Sequence, residues 1–163
     1  GKDVAVVGGG NTAVEEALYL TRFAARVYIV HRRDAFRADS VLASRALGNE
    51  KIIPVWNSAA ASINGNGIVE GMTVRNTVIG ECSNLEVAGV FVCVGIEPNA
   101  AFLDDRFQRS EGGWLSTDAH LQTSVPGVFA AGDVRDTPLR QVVTAAADGA
   151  LAAMSAYHWL QSR

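Results

Sequence analysis

A glycine-rich segment near the start of the chain has the spacing of a loop that binds nucleotide phosphates. Gly8, Gly10 and Ala13 match the pattern G-x-G-x-x-G/A, between a β-branched run and a helical pattern. The first glycine permits a tight turn, the second lets the backbone approach a pyrophosphate, and the small alanine lets the helix pack close to the strand. Amide groups and the dipole at the start of the helix would favour the phosphates. A glycine turn without a ligand is the alternative.

Cationic residues follow the second predicted strand. In a loop that binds NAD, an Asp or Glu at this place hydrogen-bonds the ribose 2′-hydroxyl. Here the place holds His31-Arg32-Arg33, and Arg37 follows four residues later. Arginine suits a 2′-phosphate because its planar guanidinium binds phosphate oxygens in pairs. The sequence therefore predicts NADPH as the cofactor, with His31 either contacting the adenosine phosphate or capping the strand; the alternative is a solvated basic surface that pairs with Asp34 and Asp39.

A carboxylate and a helix start form a second candidate site. The apolar run 128–131 ends in Gly132-Asp133, and Arg140-Gln141 opens a helix rich in Ala and Gly. A carboxylate at a strand end can accept hydrogen bonds from the hydroxyl groups of a nucleotide. A helix N-terminus can face an atom that gains negative charge, such as the edge of a reduced flavin. The alternative is that Asp133 only caps a turn, and the residues by themselves leave both interpretations open.

The elements that would position these residues form an α/β pattern. A buried parallel strand at Val4–Val7, a helix over 12–24 and a strand over 26–30 make a βαβ unit of about 30 residues. We predict a Rossmann-like domain with a parallel sheet, helices and a β-rich insertion. The further predicted elements are a helix over 37–47, a β-rich segment over 52–75 with a turn at 64–67, a buried strand over 90–94, a short strand near 114–116, a buried strand over 128–131 and a long helix over 140–160.

Composition excludes several classes of protein. Of the 163 residues, 48% are hydrophobic and 19% charged, which excludes a disordered chain. No apolar run approaches the roughly 18 residues of a membrane-spanning helix. The net charge of −3 lacks the basic surplus of a nucleic-acid binder. We therefore expect neither a membrane nor a nucleic acid as a partner.

The cysteines and histidines give no redox or metal site. Cys82 and Cys93 are not spaced as C-x-x-C, and we predict a buried structural thiol at Cys93. His120 and His158 have no partner at a metal-ligand spacing. Without a secretory signal in the sequence, we expect a reducing, cytoplasmic location.

In combination, the motifs resemble the low-molecular-weight thioredoxin reductases of bacterial type. Residues 8–17 resemble their NADPH loop and helix, and residues 31–38 resemble their 2′-phosphate motif. Gly95-x-x-Pro98-Asn99 resembles the crossing between their two domains. Residues 123–133, with Arg140-Gln141-Val142, resemble their C-terminal FAD segment. The resemblance covers essentially the whole chain.

The resemblance implies an activity and roles for residues. In these enzymes NADPH reduces FAD, reduced FAD opens a disulfide, and the resulting dithiol reduces thioredoxin. Asn11 and Thr12 would line the diphosphate side of the nicotinamide cofactor, and Arg32, Arg33 and Arg37 would hold its 2′-phosphate. A homodimer and a hinge near residues 95–98 are also implied.

For the second cofactor, the resemblance implies that Asp133 meets the ribityl-diphosphate region of FAD. Arg140, Gln141 and Val142 would meet the flavin edge. Members of the family begin with a further βαβ unit that binds FAD and then a redox C-x-x-C, and this sequence contains neither. We therefore expect an NADPH-binding domain at 1–96, the C-terminal portion of an FAD-binding domain at 97–163, and no activity of this chain by itself. A ferredoxin–NADP reductase type of flavoenzyme and a non-catalytic, truncated NADP-binding module are the alternatives.

Overall fold

A computed structural model describes residues 1–162 and divides the chain into two compact units, Gly1–Gly95 and a unit that begins at Ile96. The first unit contains seven strands and two helices. In chain order they are β1 (Val4–Val7), α1 (Asn11–Leu20), β2 (Val27–Val30), α2 (Ser40–Leu47), β3 (Ile52–Val55), β4 (Ser58–Asn64), β5 (Gly71–Asn76), β6 (Cys82–Leu85) and β7 (Val90–Val92).

The first unit is built on a four-stranded parallel sheet with the order β3-β2-β1-β7. β1 lies between its neighbours in register, with Val4 opposite Val27 and Ala5 opposite Val90. α1 connects β1 to β2 and packs on the sheet through Ala13, Val14, Ala17 and Leu20, all of which are buried. Because these side chains recur at helical spacing, one face of α1 is apolar. The predicted Rossmann-like arrangement is confirmed.

The β-rich insertion forms a second, antiparallel sheet with the order β4-β5-β6. Asn64 pairs with Gly71 across the predicted turn, and Gly65 and Gly67 lie at φ +149° and +82°. Glycine populates these positive φ values without the steric cost of a side chain. The turn predicted from Asn64-Gly65-Asn66-Gly67 is therefore confirmed.

Some predicted boundaries in the first unit are wrong. α2 begins at Ser40 rather than residue 37, because residues 31–39 form a loop that bonds to the glycine segment. β7 is not the buried strand that its apolar run predicted. It is an edge strand, and Val92 and Val94 are 62% and 66% exposed. Cys93 is half-buried rather than buried.

The second unit contains a 3-10 turn at Gly132–Val134 and the long helix α3 at Val142–Gln161. The long helix was predicted correctly, but the strands predicted near 114–116 and over 128–131 do not form. Leu115 instead makes isolated bridges to Arg109 and Arg135. Within residues 1–162, no helix combines the length and the apolar character needed to cross a membrane.

Candidate nucleotide-binding site

The first glycine of the loop allows β1 and α1 to approach each other closely. Gly8 lies at φ +147°, and a Cβ added there would be 2.3 Å from the carbonyl oxygen of Cys93 and 2.8 Å from Cβ of Ala13. Both distances are far below van der Waals contact, so no side chain fits at this position. The backbone can make this turn only because residue 8 is glycine.

The second glycine leaves space at the start of α1. Gly10 is the N-cap of α1, and a Cβ added there would meet no atom within 4 Å. Val14 is the first residue of α1 whose amide bonds back into the turn, donating to the Gly10 carbonyl at 3.1 Å. The preceding amides of Asn11, Thr12 and Ala13 belong to the first turn, which lacks intrahelical acceptors. Together with the helix dipole, they make this end of α1 attractive to an anion.

His31 packs against the middle of the glycine loop. Its side chain is 4% exposed, and its ring atom Nδ1 would be 2.3 Å from a Cβ added at Gly9. The rings of Phe36 and Trp56 lie beside it, each with its centroid 6.4 Å from that of His31. Nε2 of His31 is buried without a hydrogen-bond partner. The imidazole therefore acts as a packing element beneath the loop, in addition to any contact with a ligand.

The arginine segment presents unpaired guanidinium groups. Arg32, Arg33 and Arg37 are exposed, and none of them forms an ion pair within the described chain. Asp39, a partner in the alternative interpretation, instead accepts a hydrogen bond from the side chain of Asn11. The arginines therefore do not form the internally paired basic surface that was the alternative.

The backbone of this segment is fixed by the insertion. The amide of Ser58 donates to the carbonyl of His31 at 2.9 Å, and the amide of Asn57 donates to the carbonyl of Arg33 at 3.0 Å. The hydroxyl of Thr77 donates to the carbonyl of Asn57 at 3.0 Å and lies 3.4 Å from the carbonyl of Arg32. The exposed arginine side chains are thus carried on a backbone that is hydrogen-bonded to Asn57 and Ser58.

The positive charge of the arginine segment affects the pKa of His31. Burial lowers the pKa of His31, and the positive charges of Arg37, Arg33 and Arg32 lower it further, in that order. A hydrogen bond with the backbone of Ala35 acts in the opposite direction. All three arginines thus act on the same side chain, and positive charge in this region favours the binding of a phosphate group.

An open cavity of about 320 Å³ brings part of the predicted site together. Its volume falls in the range of small-molecule pockets. Sequence reasoning missed the contribution of β4, because nothing in the chain predicted that this strand would lie beside β2. The lining residues are Val7, Gly8, Gly9, Val30, His31, Arg32, Arg37, Ser58, Ala59, Ala60, Cys93 and Val94.

In the second unit, the turn that carries Asp133 is held by a neighbouring ion pair. Asp148 on α3 accepts hydrogen bonds from the Gly132 amide at 3.1 Å and from Nη2 of Arg135 at 3.0 Å. Both members of this ion pair are mostly buried, with side chains 20% and 13% exposed for Arg135 and Asp148. The hydrogen bond from Arg135 is the main reason that the pKa of Asp148 is lowered. Asp133 itself is exposed.

The residues that precede α3 are arranged around its first turn. The guanidinium of Arg140 lies 4.3 Å from the ring centroid of Trp114, and its Nε is buried without a hydrogen-bond partner. The amide of Gln141 donates to the hydroxyl of Thr144, which caps the helix. Val142, the first residue of α3, is 88% exposed. The same capping box pairs the backbone amide of Thr144 with the side chain of Gln141, so the amides of Val142 and Val143 are left to face a ligand at the start of α3.

No metal centre is found among residues 1–162, where no three His, Cys, Asp or Glu side chains form a group that could hold an ion. Cys82 and Cys93 are both free thiols. Burial raises the pKa of Cys93, and the nearby charge of Glu16 raises it further. A thiol of raised pKa is a poor nucleophile at neutral pH.

Similar proteins are found in bacteria and plants. The chain is 48% identical over 164 residues to thioredoxin reductase 1, mitochondrial, of Arabidopsis thaliana, covering 98% of this chain and 44% of that protein. It is 46% identical to thioredoxin reductase of Bacillus subtilis, covering 99% of this chain and 51% of that protein. The chain thus spans about half the length of the curated relatives it matches.

Solved structures give the same result. Thioredoxin reductase from Streptococcus pyogenes aligns with a TM-score of 0.75 and 44% identity, covering 99% of this chain and 53% of that one. The family model described as pyridine nucleotide-disulphide oxidoreductase matches residues 1–149, including the glycine loop, the arginine segment and the turn at Asp133. This match extends over most of the 163 residues, and the chain therefore belongs to the pyridine nucleotide-disulphide oxidoreductase family.

Proposed function

We propose that the first unit binds NADP(H) in preference to NAD(H). The diphosphate would lie at the glycine loop, on Gly8, Gly10, Asn11, Thr12 and Ala13, and the 2′-phosphate among Arg32, Arg33 and Arg37, with His31 beneath. The observation that carries the proposal is the set of three arginines without an internal ion pair, on a backbone bonded to the insertion. An NAD-specific site would instead need a carboxylate at the end of β2, where this chain has His31-Arg32-Arg33.

We also propose that the second unit contributes to an FAD site through Asp133, Arg140, Gln141 and Val142. The exposed carboxylate of Asp133 can accept hydrogen bonds from ribityl hydroxyls, and the open start of α3 can face the flavin edge. The buried, unpartnered Nε of Arg140 is a donor for which a bound nucleotide would supply an acceptor. When bound, the two nucleotides would supply hydride and electron transfer, and the residues of this chain would bind and orient them.

For the whole protein, we propose the activity of a thioredoxin-disulfide reductase that uses NADPH, with thioredoxin as the acceptor. The names of the relatives support this proposal. The same resemblance supports a homodimer of the whole protein, and the sequence, in which no secretory signal is recognised, supports a cytoplasmic location. We expect the 163-residue chain alone not to retain FAD, because its one G-x-G-x-x-G/A loop is followed by the arginines. We also expect it not to reduce a disulfide, because Cys82 and Cys93 are not spaced as C-x-x-C.

Calorimetric titration of the chain tests the first of these proposals. A 2′-phosphate held by two charge-assisted hydrogen bonds, each of about 1.5–3 kcal/mol, should make NADPH bind at least tenfold more tightly than NADH, after allowance for solvent screening. NADPH and NADH differ only at the 2′-position, so they are a matched pair of ligands. Equal dissociation constants would show that the arginines do not recognise the 2′-phosphate.

A further inference from the structure

The glycine loop and the arginine segment are joined by a reciprocal pair of side-chain hydrogen bonds. The side-chain amide of Asn11 donates to the carboxylate of Asp39 at 2.8 Å, and its carbonyl accepts from the backbone amide of Asp39, also at 2.8 Å. Asn11 is the first residue of α1, and Asp39 is the N-cap residue of α2. The two residues are 28 positions apart in the sequence, so this contact connects the starts of two helices.

A backbone hydrogen bond beside this pair also joins the arginine segment to the glycine loop. The amide of Arg37 donates to the carbonyl of Gly9 at 2.7 Å. Because this bond involves only the backbone, a change of side chain at residue 37 does not remove it. The bonds between Asn11 and Asp39 are therefore the part of the connection that depends on residue type.

These contacts limit which atoms of Asn11 can bind a ligand. Both polar atoms of its side chain are used by Asp39. The second N–H of Nδ2 and the backbone amide at the start of α1 remain to face a diphosphate. The side chain of Asn11 therefore fixes where the loop lies relative to residues 37–39.

We propose that Asn11 and Asp39 form a latch that sets the distance between the diphosphate loop and the arginines. Asp39 is thereby a positioning residue for ligands that carry phosphate groups at both the 5′- and 2′-positions. The inference rests on the proposed NADP(H) function. A ligand with two phosphate groups gains affinity only when both sites are correctly spaced, because the second contact is then intramolecular. A ligand with one phosphate group does not depend on that spacing.

The charge of Asp39 and its hydrogen bond to Asn11 have opposite expected effects on the binding of an anion, so substitutions of Asp39 can distinguish them. Loss of a carboxylate near three arginines should, by electrostatics alone, strengthen the binding of an anion. If the latch operates, D39A should instead weaken it. D39N keeps an oxygen that accepts from Asn11 while removing the charge, so it should bind at least as tightly as the wild type. Asp34 provides the matched control, since its side chain is exposed and makes no hydrogen bond or ion pair within the described chain.

The experiment is calorimetric titration of the wild type, D39A, D39N and D34A with 2′,5′-ADP, 5′-AMP and 2′-AMP. We expect D39A to bind 2′,5′-ADP about three- to tenfold more weakly, which is the effect of one exposed hydrogen bond. Its affinities for 5′-AMP and 2′-AMP should change by less than about twofold, because a ligand with one phosphate group does not depend on the spacing of the two sites. D34A and D39N should bind 2′,5′-ADP as tightly as the wild type or more tightly. Circular dichroism of each variant checks that it is folded.

Three results would overturn the latch, and they are distinguishable from a failure of the proposed function. If D39A binds 2′,5′-ADP as tightly as D39N does, charge matters and the hydrogen bond does not. If D39A loses affinity equally for all three ligands, the substitution damages the site in general. If D39A is unfolded, N11A replaces it in the comparison, because this substitution also removes the latch. An affinity of N11A for 2′,5′-ADP equal to that of the wild type would then refute the proposal. A wild type that binds 2′,5′-ADP no better than 5′-AMP would refute the proposed function itself, and the latch with it.

Discussion

The two units of the chain hold their candidate ligand groups by different means. In the first unit, the glycine loop follows β1 and the arginine segment follows β2, whose central side chains Val6 and Ile29 are completely buried. Among the described residues of the second unit, the buried hydrophobic side chains are small in number: Ala100, Leu115, Leu121 and Ala130. Its helix α3 has no buried residue, and the turn at Asp133 is held by the ion pair of Arg135 and Asp148.

This difference predicts which kind of substitution should disturb each unit most. A site that rests on a close-packed sheet is sensitive to added volume, because a packed core cannot relax. A site that rests on an ion pair is sensitive to loss of charge and to acid. The first unit should therefore respond most to substitutions of glycine, and the second unit to substitutions of Asp148.

The largest effect is expected for Gly8→Ala in the first unit. The added methyl group would overlap the carbonyl of Cys93, and the residue would be strained at φ +147°. The strain and the overpacking together should lower the free energy of unfolding by about 3 kcal/mol or more, measured by urea denaturation. Gly10→Ala is the control, because its Cβ would meet open space. Gly10→Ala should lower the free energy of unfolding by less than about 1 kcal/mol and should weaken NADPH binding instead. Equal stability of Gly8→Ala and the wild type would contradict the packing argument.

The next effect concerns binding rather than stability. The double substitution Arg32→Ala, Arg33→Ala should weaken NADPH binding about a hundredfold and leave NADH binding nearly unchanged, because only NADPH has the 2′-phosphate. Calorimetric titration with both nucleotides measures this. Arg45→Ala, which removes an exposed charge from α2, is the matched control and should change neither affinity by more than about twofold. Equal losses for the two nucleotides would show that Arg32 and Arg33 support the fold.

The same contrast explains what could be predicted from the sequence. β1, α1 and β2 follow from local patterns, since β-branched runs and helical spacing are visible in a single stretch of chain. The apolar run 128–131 has the composition of a strand, but its pairing is limited to one isolated antiparallel bridge between Phe129 and Gln122, so no regular strand forms. Asp39 and Asp148 were missed because their partners Asn11 and Gly132 are 28 and 16 residues away. Contacts over such distances depend on the fold and leave no local pattern.

In the second unit, Asp148→Ala should destabilise the turn at Gly132. It removes the acceptor of the Gly132 amide and leaves Arg135 mostly buried without its partner, which should cost about 1–2 kcal/mol. The protection of the Gly132 amide from hydrogen exchange measures the effect. Arg106→Ala is the control, because the ion pair of Arg106 and Asp104 is largely exposed and should contribute nothing measurable. Unchanged protection in Asp148→Ala would show that the turn is held by other contacts.

The smallest effect is a difference in pH response between the units. Burial, followed by the charges of Arg37, Arg33 and Arg32, lowers the pKa of His31. The unfolded chain takes up a proton at this histidine near pH 6.5, whereas the folded chain does so only at lower pH. The contribution of His31 to stability is therefore complete above about pH 6.5 and is lost as the pH falls toward the lowered pKa.

Asp148 should respond in a separate window, because Arg135 lowers the pKa of its carboxyl. Its contribution is present above the unfolded value of about 3.9 and is lost as the pH falls through the folded value. The native amide signals of Gly9 and Gly132, followed by NMR through urea titrations at several pH values, report the two units separately. Between pH 6.5 and 5 the urea midpoint should fall for Gly9 in the wild type and not in His31→Asn, because Asn does not titrate. A fall of equal slope in His31→Asn would assign the pH response of the first unit to another group.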